Sequence, residues 1–450
     1  MSTERLGQLT RLALLVLIAG LALHNAVMAQ LWELGVRGET LDAVAAWKEA
    51  LLLFAFVVAA VAAVRRPPAI TAVDVLAASY TAAVLVYALV PQGWLDGDAT
   101  AKGELLAIRH HLLLVAGYVL GRLTAVWWVD RSRVGATLAL AAAGVAFIGL
   151  VDLALIELQA WRESGVPGWY REQLALDYEG LSGLPENWVY NTGDEENPIR
   201  RLVSTFLSPL ASAYAFVVGL VFVVSRRPFR WWWGVVGLIL YAGLLYTHTR
   251  AAFVALAVAL VLLTVVQRRI APALVAVVAV AVAGVFLVAY PSIGPSTSYT
   301  EEELEFLREN AAGDPGPSSD PFSPSESSTA SHWRHLRDGA EAVLEHPQGY
   351  GLGNAGTVAK RTGVEIRAGE STYTELGIDV GILGALAFVL WNVALLLALL
   401  KREAWVGAAF AAVLLLGLQT DVIGVHWLAV GVWAAAGIAV SPRAPDTVPE

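Results

Sequence analysis

The chain has 450 residues, of which 57% are hydrophobic and only 15% charged, with a net charge of −9 and no cysteine. Soluble domains carry roughly 25% charged residues, and here apolar runs of about 17 to 25 residues recur from end to end, which excludes a soluble globule, a disordered chain and a nucleic-acid binder. The runs are continuous rather than alternating, which excludes a β-barrel, and the lack of cysteine excludes disulfides, thiolate nucleophiles, iron–sulfur centres and cysteine-ligated zinc.

A helix crosses about 30 Å of hydrocarbon with about 20 residues. On that measure the sequence predicts spans over 12–29, 44–64, 70–90, 105–121, 135–156, 202–225, 231–248, 251–267, 272–290, 374–400, 404–420 and 423–441. The fold class is therefore all-α, a polytopic transmembrane helical bundle of about twelve spans with a large extracytoplasmic loop containing short helices. Residues 1–290 hold the first nine spans and an outer loop at 157–200. Residues 291–373 form the large loop, 374–441 the last three spans, and 442–450 a cytoplasmic tail. The N-terminal stretch also fits a signal peptide, with Arg5 and Arg11 before an apolar core and a cleavage site at Val27 to Ala29.

The short segments on one side of this layout hold 15 of the 30 basic residues but only six of the 39 acidic ones. By the positive-inside rule that side is cytoplasmic and holds both termini. Segments 91–104, 157–200 and 291–373 then face outward and are too long for simple turns. In the last, Thr300 and Glu303 form a capping-box pair heading a short acidic helix to about Glu309. Residues 313–331 read as a flexible strap of Gly, Pro, Ser and Asp. An amphipathic helix over 331–345 follows, its stripe made by Trp333, Leu336, Ala340, Val343 and Leu344, and Pro347 ends it.

Several charged residues stand where a membrane protein places them for a reason. Arg250, in the sequence THTR at 247–250, lies at the outer boundary with no carboxylate within fifty residues on either side. It faces an anionic partner or a wet cavity, or it snorkels to mark a helix end. Arg200 and Arg201 form a basic pair on the side where the positive-inside rule does not place one, so they need an anion: a phosphate group, or Asp194, Glu195 and Glu196 just upstream. Arg109, His110 and His111 read as interfacial anchors, since adjacent histidines do not share a helix face and make a poor metal pair. His332 and His335 sit on adjacent turns near Arg334, Arg337 and Asp338, on a polar face open to acid–base or metal chemistry. GLGNAG at 351–356 matches a dinucleotide pattern in the wrong context, after a helix and a proline, so its glycines serve tight turns or a close backbone approach. Glu370, Glu375 and Asp379 enter the tenth span from outside, where carboxylates are costly unless paired or functional.

Four stretches, in order, resemble the O-antigen ligase and polymerase family of bacterial integral membrane glycosyltransferases. They are IRRLVSTFLSPLASAYA at 199–215, THTRAAFVALAVAL at 247–260, HWRHLRDGAEAVLEHPQGYGLGNAG at 332–356 and ESTYTELGIDVGILGALAF at 370–388. The resemblance implies a multi-pass protein of the bacterial cytoplasmic (inner) membrane that transfers a glycan from undecaprenyl pyrophosphate to a lipid or glycan acceptor, without metal, nucleotide or other cofactor and with inversion. It implies that Arg201 and Arg250, with Arg200 beside them, contact the pyrophosphate, and that Arg334 or Arg337 lies near the acceptor. Where ligases of the family show a histidine before the last loop-to-membrane turn, this chain has Glu370 and Ser371. Glu370 or His335 would then serve as base, and attachment of a finished chain and elongation of one both stay open. A transporter or flippase of a lipid-linked or anionic envelope precursor is the alternative, and a non-catalytic scaffold a third reading.

Overall fold

The computed structural model describes residues 3–64, 67–128, 130–190, 197–311 and 327–442. The first group of helices comprises α1 (Thr3–Glu33), α2 (Gly38–Ala45), α3 (Trp47–Ala63), α4 (Ala72–Tyr87), α5 (Ala101–Thr124) and α6 (Ser132–Leu155), with short turns α7 (Leu158–Arg162) and α8 (Gly165–Gly168). Then come α9 (Pro209–Ser225), α10 (Trp231–Tyr246), α11 (Arg250–Gln267) and α12 (Ala271–Ile293). Helices α13 (Glu301–Ala311), α14 (Ser327–Glu345) and α15 (Gly356–Thr362) occupy the large loop, and α16 (Thr372–Arg402), α17 (Ala404–Leu416) and α18 (His426–Val440) complete the bundle.

Among the described residues seven helical stretches are long and apolar enough to cross a membrane: α1, α2 with α3, α5, α6, α11, α12 and α16. Five shorter apolar helices, α4, α9, α10, α17 and α18, lie at the other expected positions. The shortening of α9 has a local cause. Ser208 caps it by accepting the Ala211 N–H, and Pro209 stands where a missing N–H costs nothing, so the helix starts seven residues later than the apolar run. The expected N-terminal span is an integral part of α1: Asn25 donates to the Phe206 carbonyl and Trp427 to that of Ile18.

Helix α18 packs closely along α5, where a Cβ on Gly121 would overlap the Ala434 carbonyl. Small residues bring helices together this way in lipid, where dispersion contacts rather than water exclusion drive association. At the end of the bundle that holds the basic short turns, Arg122 pairs with Asp74 at 2.7 Å and donates to Ser441 Oγ at 2.6 Å. The long loops gather at the other end.

There, Glu303 joins two loops. Its carboxylate pairs with Arg162 at 2.6 Å, accepts from Ser182 at 2.6 Å and caps its own helix through the Thr300 N–H at 2.9 Å. The expected capping box is present, since the Glu303 N–H returns to Thr300 Oγ1. A two-stranded antiparallel ladder pairs Val189 with Arg200 and Tyr190 with Ile199, a small departure from an all-helical chain. The Gly-, Pro- and Ser-rich stretch lies, up to residue 326, outside the described residues, as do Asp194, Glu195, Glu196 and residues 443–450.

The loop helix begins at Ser327 and docks on α16, but through only part of the expected stripe, Val343. A Cβ on Gly339 would meet Thr374, and one on Gly377 would meet Val343, so this small-residue seam is the buried face. Trp333 and Leu344 point away from it, 67% and 70% exposed. Helix α16 is broken at Val380 and Gly381, where Gly381 has φ +63°. The turn after Pro347 fills the break: Tyr350 donates to the Ile378 carbonyl at 2.7 Å and Ile382 to the Pro347 carbonyl at 2.9 Å. The freed backbone groups are thus satisfied by another segment of the chain, as a membrane interior requires.

Candidate functional site

The loop end gathers four polar groups. The first is built by the turn between α10 and α11. Arg201 donates to the Thr247 carbonyl at 2.8 Å, to Thr249 Oγ1 at 3.1 Å and to the Asn187 carbonyl at 3.0 Å. Arg250 starts α11 on the same turn, near enough for the two guanidinium charges to repel each other. Between them in sequence, His248 has φ +49°, and its ring stacks on Tyr290 at 4.7 Å and lies tilted against Tyr190 at 4.1 Å. Arg200 is committed elsewhere: it is buried, pairs with Asp152 at 3.3 Å and donates to the Ile156 carbonyl. Arg201, one residue past the strand, reaches the turn between α10 and α11 instead.

The second group forms around Glu370. One carboxylate oxygen lies 2.6 Å from His332 Nδ1 and 3.0 Å from His335 Nδ1, so the loop helix and the start of α16 converge on it. Burial works to raise the Glu370 pKa, but the two imidazoles outweigh it and bring it down to about 2. Glu370 has φ +66°, a left-handed conformation that a non-glycine residue adopts at a cost. That turn sends the side chain to the histidines and the N–H to the Glu375 carboxylate. Arg334 is exposed on the same helix, and Arg337 pairs with Glu341 at 2.8 Å on the solvated face.

The third group lies deeper. His111 pairs with Asp379 at 2.9 Å, and Tyr80 Oη stands 3.3 Å from the other ring nitrogen. The second Asp379 oxygen accepts the Gly353 and Asn354 N–H groups, each at 3.2 Å. Gly353 has φ +94°, and a Cβ on Gly356 would overlap the Glu375 carboxylate, so the 351–356 glycines serve a close backbone approach to two carboxylates rather than to a nucleotide. His110 lies 3.5 Å from Asp421. His110, Glu375 and Asp421 each bring a ligand atom within 4.8 Å of the others, a donor set able to hold a divalent cation.

The fourth is a cavity of about 280 Å³ lined by Arg109, His110, Tyr214, Arg361, Asp421 and His426, among others. Tyr214 lies within electrostatic reach of both Arg201 and Asp421, which relates the cavity to the first group. Farther along α9 to α12, an apolar groove of about 360 Å³ is walled by residues such as Val223, Tyr241, Leu260 and Val278.

Sequence reasoning singled out Arg201, Arg250, His335 and Glu370 as candidates, took Arg109 to His111 for interfacial anchors and passed over Arg361, Asp421 and His426. The structure turns His110 and His111 inward, to Asp421 and Asp379, while Arg109 stays 38% exposed beside Glu49. The available signal was Asp421, a lone carboxylate between two apolar spans. No curated protein matches the chain. Residues 235–389 match the family model described as O-antigen ligase, a stretch running from α10 through the large loop into α16 and including both Arg250 and Glu370. Over that stretch the chain is similar to O-antigen ligases, and its many apolar helices make it an integral membrane protein.

Proposed function

We propose that the chain is a polyprenyl-pyrophosphate-dependent glycosyltransferase of the bacterial cytoplasmic membrane, with twelve spans, both termini cytoplasmic and its site on the outer face. It transfers a glycan from undecaprenyl pyrophosphate to an acceptor hydroxyl, with inversion and without a metal. The observation that carries this reading is a carboxylate held between two imidazoles at the same end of the bundle as the Arg201 and Arg250 pair.

The acceptor oxygen attacks the anomeric carbon as the bond from that carbon to the pyrophosphate oxygen breaks. Negative charge grows on the departing pyrophosphate, where two fixed guanidinium groups stabilise the transition state more than the ground state. The acceptor proton goes to an imidazole. Glu370, held down to about 2, stays ionised and is a weak base, whereas His335, oriented by it and 47% exposed, leaves its Nε2 for the acceptor. Glu370 then balances the imidazolium, so the histidine expected from the family's loop-to-membrane position is supplied from helix α14. Arg334, beside His335 on the open face, is the loop arginine for the acceptor. The apolar groove along α9 to α12 suits a prenyl chain. Ligation and polymerisation share this chemistry and differ only in the acceptor.

Transfer from a defined polyprenyl-pyrophosphate glycan in liposomes tests the reading. His335→Ala is expected to abolish product and Glu370→Gln to slow it, with product mass revealing the acceptor. Wild-type rates in both variants would overturn the catalytic pair. One feature favours the transporter alternative, the break in α16, since broken helices host substrates in transporters. Its free backbone groups are taken by the turn after Pro347, which argues against an ion site there.

A further inference from the structure

The cavity of about 280 Å³ holds a concentration of positive charge that the transfer reaction as described does not use. Two of its lining residues are arginines from unrelated segments, Arg109 on α5 and Arg361 on α15. Each is close enough to oppose the other's charge, and Lys48 on α3 is near enough to act on both. Burial and Arg109 together push the Arg361 pKa down, against the opposing pull of the Asp42 carboxylate. His426 lines the same wall.

Their compensation is thin. Arg109 reaches Glu49 at 3.4 Å while remaining 38% exposed, and Glu49 is shared with Lys48 at 3.5 Å. Arg361 gives only its Nε, to the Leu174 carbonyl at 3.0 Å, so among the described residues its two terminal nitrogens stay available. Asp421, the one carboxylate on the cavity wall, is engaged by His110 and by the Gly424 N–H. The first turns of α9 and α18 also border the cavity, through Leu210, Ala211 and His426, and add the positive ends of two helices of 17 and 15 residues. Like charges assembled against burial, with donors to spare, form a site for an oxyanion, and a guanidinium pair matches the geometry of phosphate.

We propose that this cavity is a second anion-binding site, separate from the Arg201 and Arg250 pair, that takes a phosphate group. The phosphate can belong to a membrane lipid headgroup or to a non-bilayer phosphate such as that of a glycan substrate; binding to either is the claim. The inference does not depend on catalysis, and its test reads binding alone.

The full-length protein in phosphatidylcholine nanodiscs is titrated calorimetrically with inorganic pyrophosphate and, separately, with short-chain phosphatidic acid. At least one is expected to bind, more weakly as salt rises, and the double variant Arg109→Gln with Arg361→Gln to weaken it about tenfold or more. Thr357→Glu places a carboxylate at an exposed position on the cavity wall and is expected to do the same without touching the buried pairs. Arg201→Gln is expected to leave this binding in place. Binding of phosphatidic acid alone identifies a lipid headgroup as the source, and binding of pyrophosphate identifies a phosphate free of the bilayer. No binding of either probe, or binding lost through Arg201→Gln but kept in Thr357→Glu, overturns the proposal.

Discussion

At the scale of single residues, the charges divide into those spent inside the protein and those left for a ligand. Arg200 and Arg201 are adjacent, yet one is locked to Asp152 and the other is held by three neutral oxygens that orient it without cancelling its charge. Arg201→Ala and Arg250→Ala are accordingly expected to lower glycan transfer by about 10² to 10³-fold, the loss typical of a preorganised donor to a developing anion. Both proteins should still insert, and a liposome assay normalised to inserted protein checks the pair. Arg200→Ala should instead destabilise the protein, because Asp152 would be left buried without its partner. Glu370 makes a pH prediction. Its carboxyl is depressed from 4.5 to about 2, so its contribution to holding the loop helix is full above about pH 4.5 and is lost as the pH falls toward 2. Hydrogen exchange over residues 331–345, corrected for intrinsic rates, should rise through that window in the wild type, whereas Glu370→Gln should already show the faster exchange at pH 5.

At the scale of elements, the loop end joins a small apolar core around Trp169, Tyr170, Leu181 and Trp188 to a few buried polar staples. Glu303 is 1% and Arg162 7% exposed, so removing the carboxylate by Glu303→Ala leaves a buried cation without its partner. A loss of about 3 to 5 kcal/mol is expected in thermal unfolding, with the 157–190 segment released first in limited proteolysis. An unchanged melting temperature and cleavage pattern would show that the loops are held by other contacts. The same elements show how far a sequence can be read. Apolar helices are legible because hydrocarbon imposes both length and composition, and the Thr300 and Glu303 cap because it is a local pattern. Rotation of the loop helix is not legible: Gly339, Gly377 and Val343 form a seam only once α14 has met α16, and no single-helix periodicity encodes a partner's shape. The break at Gly381 is equally invisible, since what stabilises it lies more than thirty residues earlier, after Pro347. His335 was legible on the polar face of a loop helix and Glu370 as a carboxylate before a span, but their meeting depends on that docking.

At the scale of the whole molecule, charge and chemistry segregate to opposite ends. One end carries Arg122, Arg131, Arg226, Arg230, Arg268 and Arg402 on short turns, while the other carries the long loops, the His335 and Glu370 pair and the cationic cavity. By the positive-inside rule the basic end is expected to face the cytoplasm. That orientation is the one the proposed transfer from an outer-leaflet lipid-linked donor requires. Since the chain has no cysteine, single cysteines report this orientation without background. Glu302 and Arg133 are both exposed and stand at opposite ends. In intact spheroplasts a membrane-impermeant maleimide should label Glu302→Cys and spare Arg133→Cys until the membrane is opened. The reverse pattern would put the arginine pair and the imidazoles in the cytoplasm, where an outer-leaflet prenyl pyrophosphate cannot reach them.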